Sequence, residues 1–195
     1  PREKNKLFEM YGLDRSKFYV TYNGNIGLSQ NMDMLLSVAE ELKTSNSDIH
    51  FVLVGTGAYL DEVKRMVAER NIDNVHILPF QPYEDISHVF SLGDASLVIS
   101  KPGTGSASVP SKTCIMSASR PVLANFDENE LKSILEDNSC GIFTKAGDKE
   151  EFKKSILTLY LNRELCKEYG KNGRQFVLNN LTREVGTQKY VDVIK

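Results

Sequence analysis

Two rhythms of apolar residues alternate along the chain. Short β-branched and aromatic runs at 18–22, Ile49–Val54, Val75–Leu78, 95–100, 121–124 and 140–144 read as strands. Between them apolar positions recur at helical spacing. Leu35, Val38, Ala39 and Leu42 stand at i, i+3, i+4 and i+7, and Leu60, Val63 and Val67 form a second stripe. Leu131, Ile134 and Leu135 continue the series, followed by Phe152, Ile156, Leu159 and Tyr160. From there the pattern is helical to Lys195, with a break near 180–182. Punctuation agrees with this division. Asn23-Gly24 and Gly55-Thr56-Gly57 stop the first two strands, and Pro82 suits the first turn of a helix. Asp127 with Glu130, and Asp148 with Glu151, read as capping boxes, and Ser111 reads as the cap of a short helix.

Strands alternating with helices imply βαβ units. The expected fold is a Rossmann-like three-layer α/β/α domain with a mainly parallel sheet. Right-handed crossovers place every strand-to-helix loop on one sheet edge, where such sheets bind ligands. The Gly-rich loops after Tyr22, Val54 and Ser100 all fall there. A length of 195 residues suits one such domain, and 41% hydrophobic residues can fill its core. A net charge of −2 without a dense Lys/Arg run lacks the footprint of a nucleic-acid binder. Cys114, Cys140 and Cys166 lie far apart, which disfavours a disulfide framework or zinc ribbon and fits a reducing compartment. The apolar runs are strand-sized, well short of the roughly 20 residues of a membrane span.

The familiar phosphate motifs fail on detail. A dinucleotide fingerprint needs GxGxxG and an acid ending the second strand. Here Gly24-Asn25-Ile26-Gly27 lacks the GxG pair, Leu60 stands for the third glycine of the second loop, and Val54 ends the strand. Ser106 and Ser111 occupy both glycine positions of a P-loop before Lys112-Thr113, and no GxSxG elbow occurs. His50, His76 and His88 show no metal-ligand spacing; the first two read as ordinary half-buried or surface imidazoles, so no metal is expected. What remains is a looser arrangement. Backbone N–H groups at Gly24 to Gly27 and at Gly103, Thr104 and Gly105 can face an anion, with Lys112 on the first turn of the following helix within reach. Each loop alone also reads as a simple turn; together on one rim they favour a phosphate-bearing ligand.

In order, Tyr22-Asn23-Gly24-Asn25-Ile26-Gly27, Val54-Gly55-Thr56-Gly57, Leu78-Pro79-Phe80, Val109-Pro110-Ser111-Lys112-Thr113 and Arg120-Pro121-Val122-Leu123-Ala124 resemble the C-terminal half of group 1 glycosyltransferases, the retaining GT-B family 4. The run from Lys101 to Ser106 is most similar to a bacterial branch that builds surface polysaccharides such as capsule. The resemblance implies a metal-independent domain binding a nucleotide-diphosphate sugar, with UDP as the expected nucleotide and no separate cofactor. It implies that Gly24, Asn25 and Gly27 approach the diphosphate and sugar, with Gly55 and Gly57 in the neighbouring loop. Phe80 and Gln81 would hold the base, although Phe80 also reads as a rim hydrophobe. Gly103, Thr104, Gly105, Ser111, Lys112 and Thr113 would close around sugar, phosphates and ribose, with Lys112 neutralising charge on the leaving diphosphate. One departure stands out: Ser106 and Cys114 occupy the positions of the two glutamates that most of the family carries there.

The resemblance also implies a partner. A GT-B enzyme has a second, N-terminal domain that binds the glycan or lipid-linked acceptor, and the start at Pro1 fits a piece of a longer chain. Residues 1–13 would lead in from the interdomain linker. Residues 184–195, with Tyr190, Val191 and Ile194, would form a helix crossing back to the other domain. The expected product is a cytoplasmic enzyme, at most peripheral at the inner membrane face, whose isolated donor half is inactive. The rival readings are a non-catalytic nucleotide-sugar-binding subunit and a nicotinamide oxidoreductase.

Overall fold

The computed structural model describes residues 2–105 and 109–194. Six strands form one sheet in the order β3-β2-β1-β4-β5-β6, every neighbouring pair parallel. They are β1 (Phe18–Asn23), β2 (Ile49–Val54), β3 (Val75–Leu78), β4 (Ala95–Ile99), β5 (Val122–Phe126) and β6 (Gly141–Lys145). The helices are α1 (Leu7–Met10), α2 (Met32–Ser45), α3 (Leu60–Glu69), α4 (Ile86–Leu92), α5 (Glu130–Asp137), α6 (Lys149–Leu161), α7 (Arg163–Asn180) and α8 (Arg183–Ile194). The segment Ser111–Ala118 is a 3-10 helix. Rossmann-like α/β architecture is therefore what the alternating pattern produces.

Strand periodicity of two sorts the core. Phe18, Val20 and Tyr22 of β1 face the layer that contains Leu35, Val38 and Leu42 of α2 and Phe152, Ile156 and Leu159 of α6. Tyr19 points to the opposite face, with Leu7 and Phe8 of α1 and Val89 and Leu92 of α4. On β4 and β5, Val98, Val122 and Ala124 meet Ile115 and Met116 of the 3-10 helix and Leu131 and Leu135 of α5. Both sheet faces are covered, which is why these strands read as near-continuous apolar runs.

Local signals held in some places and yielded in others. Asp148 caps α6, accepting from Glu151 N at 3.0 Å. The break between α7 and α8 falls at Leu181 and Thr182, as the pattern predicts. Asp127 does not cap α5, however. Asn129 does so, accepting from Leu131 N at 2.9 Å. Asp127 instead accepts from Gly103 N (3.1 Å) and Gly105 N (2.7 Å), so it is spent on the loop after β4. Pro82 precedes a 3-10 turn (Tyr83–Asp85) rather than opening α4. Ser111 is likewise not a cap: Pro110 stands at that position and no side chain caps the 3-10 helix. Val191 of α8 is 39% exposed, while Tyr190 and Ile194 have side chains outside the description. Among the described residues no helix is long and apolar enough to cross a membrane.

Candidate functional site

The sheet opens where its strand order reverses. β1 keeps register with β2 out to Asn23↔Val54, but with β4 only through Val20↔Ala95 and Thr21↔Ser96. β4 meanwhile follows β5 as far as Ile99↔Asn125. The two central strands thus part beyond Thr21, and a cavity of about 450 Å³ fills the gap at their carboxyl ends. Asn23, Val54, Ser96 and Leu97 form its floor. One wall is apolar, made by Phe80, Ile86, Val89 and Phe90 with Gln81 beside them. Ser111, Lys112, Cys114 and Ile115 of the 3-10 helix line the cavity as well, together with Gly24 and Asn25.

Lys112 dominates the electrostatics of this cavity. Its Nζ lies 5.3 Å from the centroid of the Tyr22 ring. Among the described residues no carboxylate pairs with it, and burial pushes its ammonium below the usual lysine value. A desolvated cation without a counter-ion is costly and is a ready site for an anion. Gly24 makes room for it: with φ +126°, a Cβ here would sit 3.1 Å from Lys112 Cε.

The glycine loops act otherwise than their motifs suggest. A Cβ on Gly55, which has φ +154°, would fall 1.9 Å from the carbonyl oxygen of Gly24. Gly55, and Gly57 beside it, therefore let the β2 loop pack backbone to backbone beneath residues 24–26. They support the rim without lining the cavity. The expected row of free N–H groups does not form. Gly24 N donates to Val54 O (2.9 Å), Ile26 N to Thr56 O (2.8 Å), and Gly27 N to Gln30 Oε1 (2.8 Å). Gly103 and Gly105 give their N–H groups to Asp127, whose carboxyl is held below its usual range by these two bonds. Thr104 Oγ1 donates to Lys101 O at 2.7 Å, tying the loop to itself. The positive charge on this cavity is a side chain, not a backbone nest.

The sequence-predicted residues therefore divide. Gly24, Asn25, Phe80, Gln81, Ser111 and Lys112 come together on the cavity, while Gly27, Gly55, Gly57, Gly103, Thr104, Gly105 and Thr113 do not line it. Thr113 is buried, its Oγ1 donating to Pro110 O at 2.8 Å. Phe80 is 72% exposed at the mouth. Gln81 donates from Nε2 to Tyr11 Oη (2.8 Å) and Pro79 O (2.7 Å), so Tyr11, just after α1, fixes its orientation. Cys114 lines the wall, and Ser106 lies outside the described residues. Sequence reasoning missed Asn23, Ser96 and the apolar wall of α4. Only the parting of β1 from β4 brings them together, although a polar residue ending an otherwise apolar strand marks Asn23.

At the other end of the sheet, His50 and His76 stack with centroids 5.1 Å apart, and His50 Nδ1 lies 2.8 Å from His76 Nε2. Neighbouring strands bring them together; their sequence spacing gives no hint of it. Burial lowers both pKa values, that of His76 to about 4. No group of three or more metal-ligating side chains occurs among the described residues.

Comparison with known proteins bears on the whole chain. The family described as "Glycosyl transferases group 1" matches residues 3–176. A putative colanic acid biosynthesis glycosyl transferase, WcaI of Escherichia coli K12, is 30% identical over 100 residues, covering 51% of this chain and 24% of its own. Among solved structures, Anabaena Alr3699/HepE in complex with UDP superposes with a TM-score of 0.85 at 16% identity, covering all of this chain and 52% of that one. The C-terminal domain of a group 1 family glycosyl transferase (LpcC) from Francisella tularensis gives 0.73 at 15% identity, with 94% and 95% covered. The chain spans between about a quarter and half of the length of the curated relatives it matches.

Proposed function

The chain belongs to the group 1 glycosyl transferases, and from that premise we propose that it is the donor-binding domain of a bacterial surface-polysaccharide transferase of family 4. In this reading it holds a UDP-activated sugar, and a second domain supplies the glycan or lipid-linked acceptor. The observation that carries the reading is Lys112, a half-buried ammonium without a carboxylate partner among the described residues, on a cavity at the point where strand order reverses. A diphosphate supplies the missing counter-charge. The apolar wall of Ile86, Val89 and Phe90 offers the flat surface a nucleobase requires. As the donor bond breaks, negative charge builds on the leaving diphosphate, and Lys112 stabilises that charge more than the ground state. Lys112 stabilises charge and moves no proton.

Support for a two-domain enzyme comes from length, since the chain spans about half of HepE and nearly all of the LpcC C-terminal domain. The HepE complex makes UDP the first nucleotide to try. The test is a thermal-shift panel of UDP, GDP, NADH and UDP-sugars. Ligand at 100 times its dissociation constant adds about 2.7 kcal/mol, which moves the midpoint by roughly 5–10 °C at this size. A shift with UDP and none with NADH is expected. A response to NADH alone would return the oxidoreductase reading. The isolated chain should transfer no sugar, and robust transfer would refute its role as a donor half.

A further inference from the structure

The cavity floor carries a polar side chain with nothing to bond among the described residues. Asn23 ends β1, and both its Nδ2 and Oδ1 are closed off from water without a hydrogen-bond partner among the described residues. Its neighbours on that face are paired. Thr21 Oγ1 donates to Ala95 O (3.3 Å), and Ser96 Oγ donates to Thr21 O (3.3 Å). Asparagine is also a poor strand residue. Leaving a buried donor and acceptor unmet is destabilising, and an apolar residue of similar size avoids that cost. Neither strand propensity nor packing accounts for Asn23, so its use lies with what enters the cavity.

Its position says which part of a ligand that is. One residue further along the chain, Gly24 makes room for Lys112 at the rim. The apolar side chains of Ile86, Val89 and Phe90 line the same cavity. A nucleoside diphosphate has a fixed covalent order of base, ribose and phosphates. With its diphosphate at Lys112 and its base against α4, the ribose falls over Asn23. Ribose hydroxyls donate and accept, matching an amide that offers one group of each kind. We propose that Asn23 is the ribose-recognising residue of this cavity, its amide turning about χ1 to meet a ribose hydroxyl. The inference rests on the donor-binding reading above.

The experiment titrates UDP, 2′-deoxy-UDP and 3′-deoxy-UDP calorimetrically into the wild-type chain and Asn23→Leu, with thermal midpoints of both unliganded proteins. The wild type should bind one deoxy analogue about tenfold more weakly than UDP. Asn23→Leu should weaken UDP about tenfold and bind UDP and that analogue alike, at a midpoint equal to or above wild type. Asn23→Ala, smaller than the native side chain, repeats the comparison should leucine overfill the floor. Unchanged UDP affinity in both variants overturns the assignment, as does an equal loss for all three ligands. Wild-type protein that does not bind UDP refutes the donor reading and this inference with it. Tight UDP binding with indifferent variants refutes this inference alone.

Discussion

Replacing Lys112 by methionine tests the centre of the reading. The substitution keeps most of the aliphatic stem and removes only the ammonium. In the free protein that ammonium is half-buried, rests over Tyr22 and has no carboxylate partner among the described residues. Its removal therefore breaks no ion pair and relieves a desolvation penalty, so the unliganded midpoint should hold or rise slightly. The bound state is different. Two unit charges 4 Å apart attract by roughly 4 kcal/mol at an effective dielectric of 20, and a charge-assisted hydrogen bond nets about 1.5–3 kcal/mol. Because partial burial has already removed some of the water around Lys112, part of the desolvation cost is not incurred again on binding. The dissociation constant for UDP should rise roughly 10- to 150-fold, at about 1.4 kcal/mol per decade. Uridine, which carries no phosphate, should be affected little. Calorimetry at low and high salt measures both ligands. Equal UDP affinity in the two proteins, or an equal loss for uridine, would remove Lys112 from the diphosphate subsite. The pH dependence has a definite sign as well. Burial lowers the Lys112 pKa, so UDP affinity should fall as alkaline pH deprotonates the free protein, and the methionine variant should lack that fall.

Other positions give independent checks. Gly55→Ala places a Cβ 1.9 Å from Gly24 O at φ +154°, and should lower stability by about 2–4 kcal/mol and abolish UDP binding. A midpoint within 2 °C of wild type (roughly 1 kcal/mol or less at this size) would contradict the packing argument. Asn129→Ala should cost about 1 kcal/mol through the lost α5 cap. Asp127→Ala should instead speed hydrogen exchange at the Gly103 and Gly105 amides and leave the α5 amides protected; the reverse pattern would restore Asp127 as the cap. His76 titrates near 4 in the fold against 6.5 as a free side chain, mainly through burial and then through the charge of His50. The unfolded chain thus binds the proton first as pH falls. Stability is complete above about pH 6.5, declines towards pH 4 and then levels off, by about 1–2 kcal/mol once discounted for partial exposure. Urea midpoints across that window should show this slope in the wild type and a flatter one in His76→Phe; parallel slopes would contradict it.

The capping pairs show how far local signals reach. Asp127-Glu130 and Asp148-Glu151 share one spacing, yet only the second is a cap. Asn129 lies closer to the first helical turn, and the folded loop after β4 draws Asp127 away. A pattern of spacing cannot register a competing partner 22 or 24 residues distant. The Gly-rich loops teach the same lesson. Their position on the ligand edge was legible, but their N–H groups turn inward to Val54, Thr56, Gln30 and Asp127.

Hydrophobic periodicity alone determined six strands, their interleaved helices and hence a parallel sheet with both faces covered. Side-chain burial along a strand or helix is a local consequence of backbone geometry, so that much is written in the order of residues. Segment order identified the family, and the family match over residues 3–176 agrees. Tertiary structure decided what stands opposite what. β1 and β4 are separated by more than 70 residues, and only their parting beyond Thr21↔Ser96 forms the cavity. Among the described residues, that gap leaves Lys112 without a counter-charge and the Asn23 amide buried and unpaired, and it turns the α4 hydrophobes into a wall. The stacked His50 and His76 likewise depend on β2 lying beside β3. Contacts across the sheet are set by strand order and register, which no local pattern encodes.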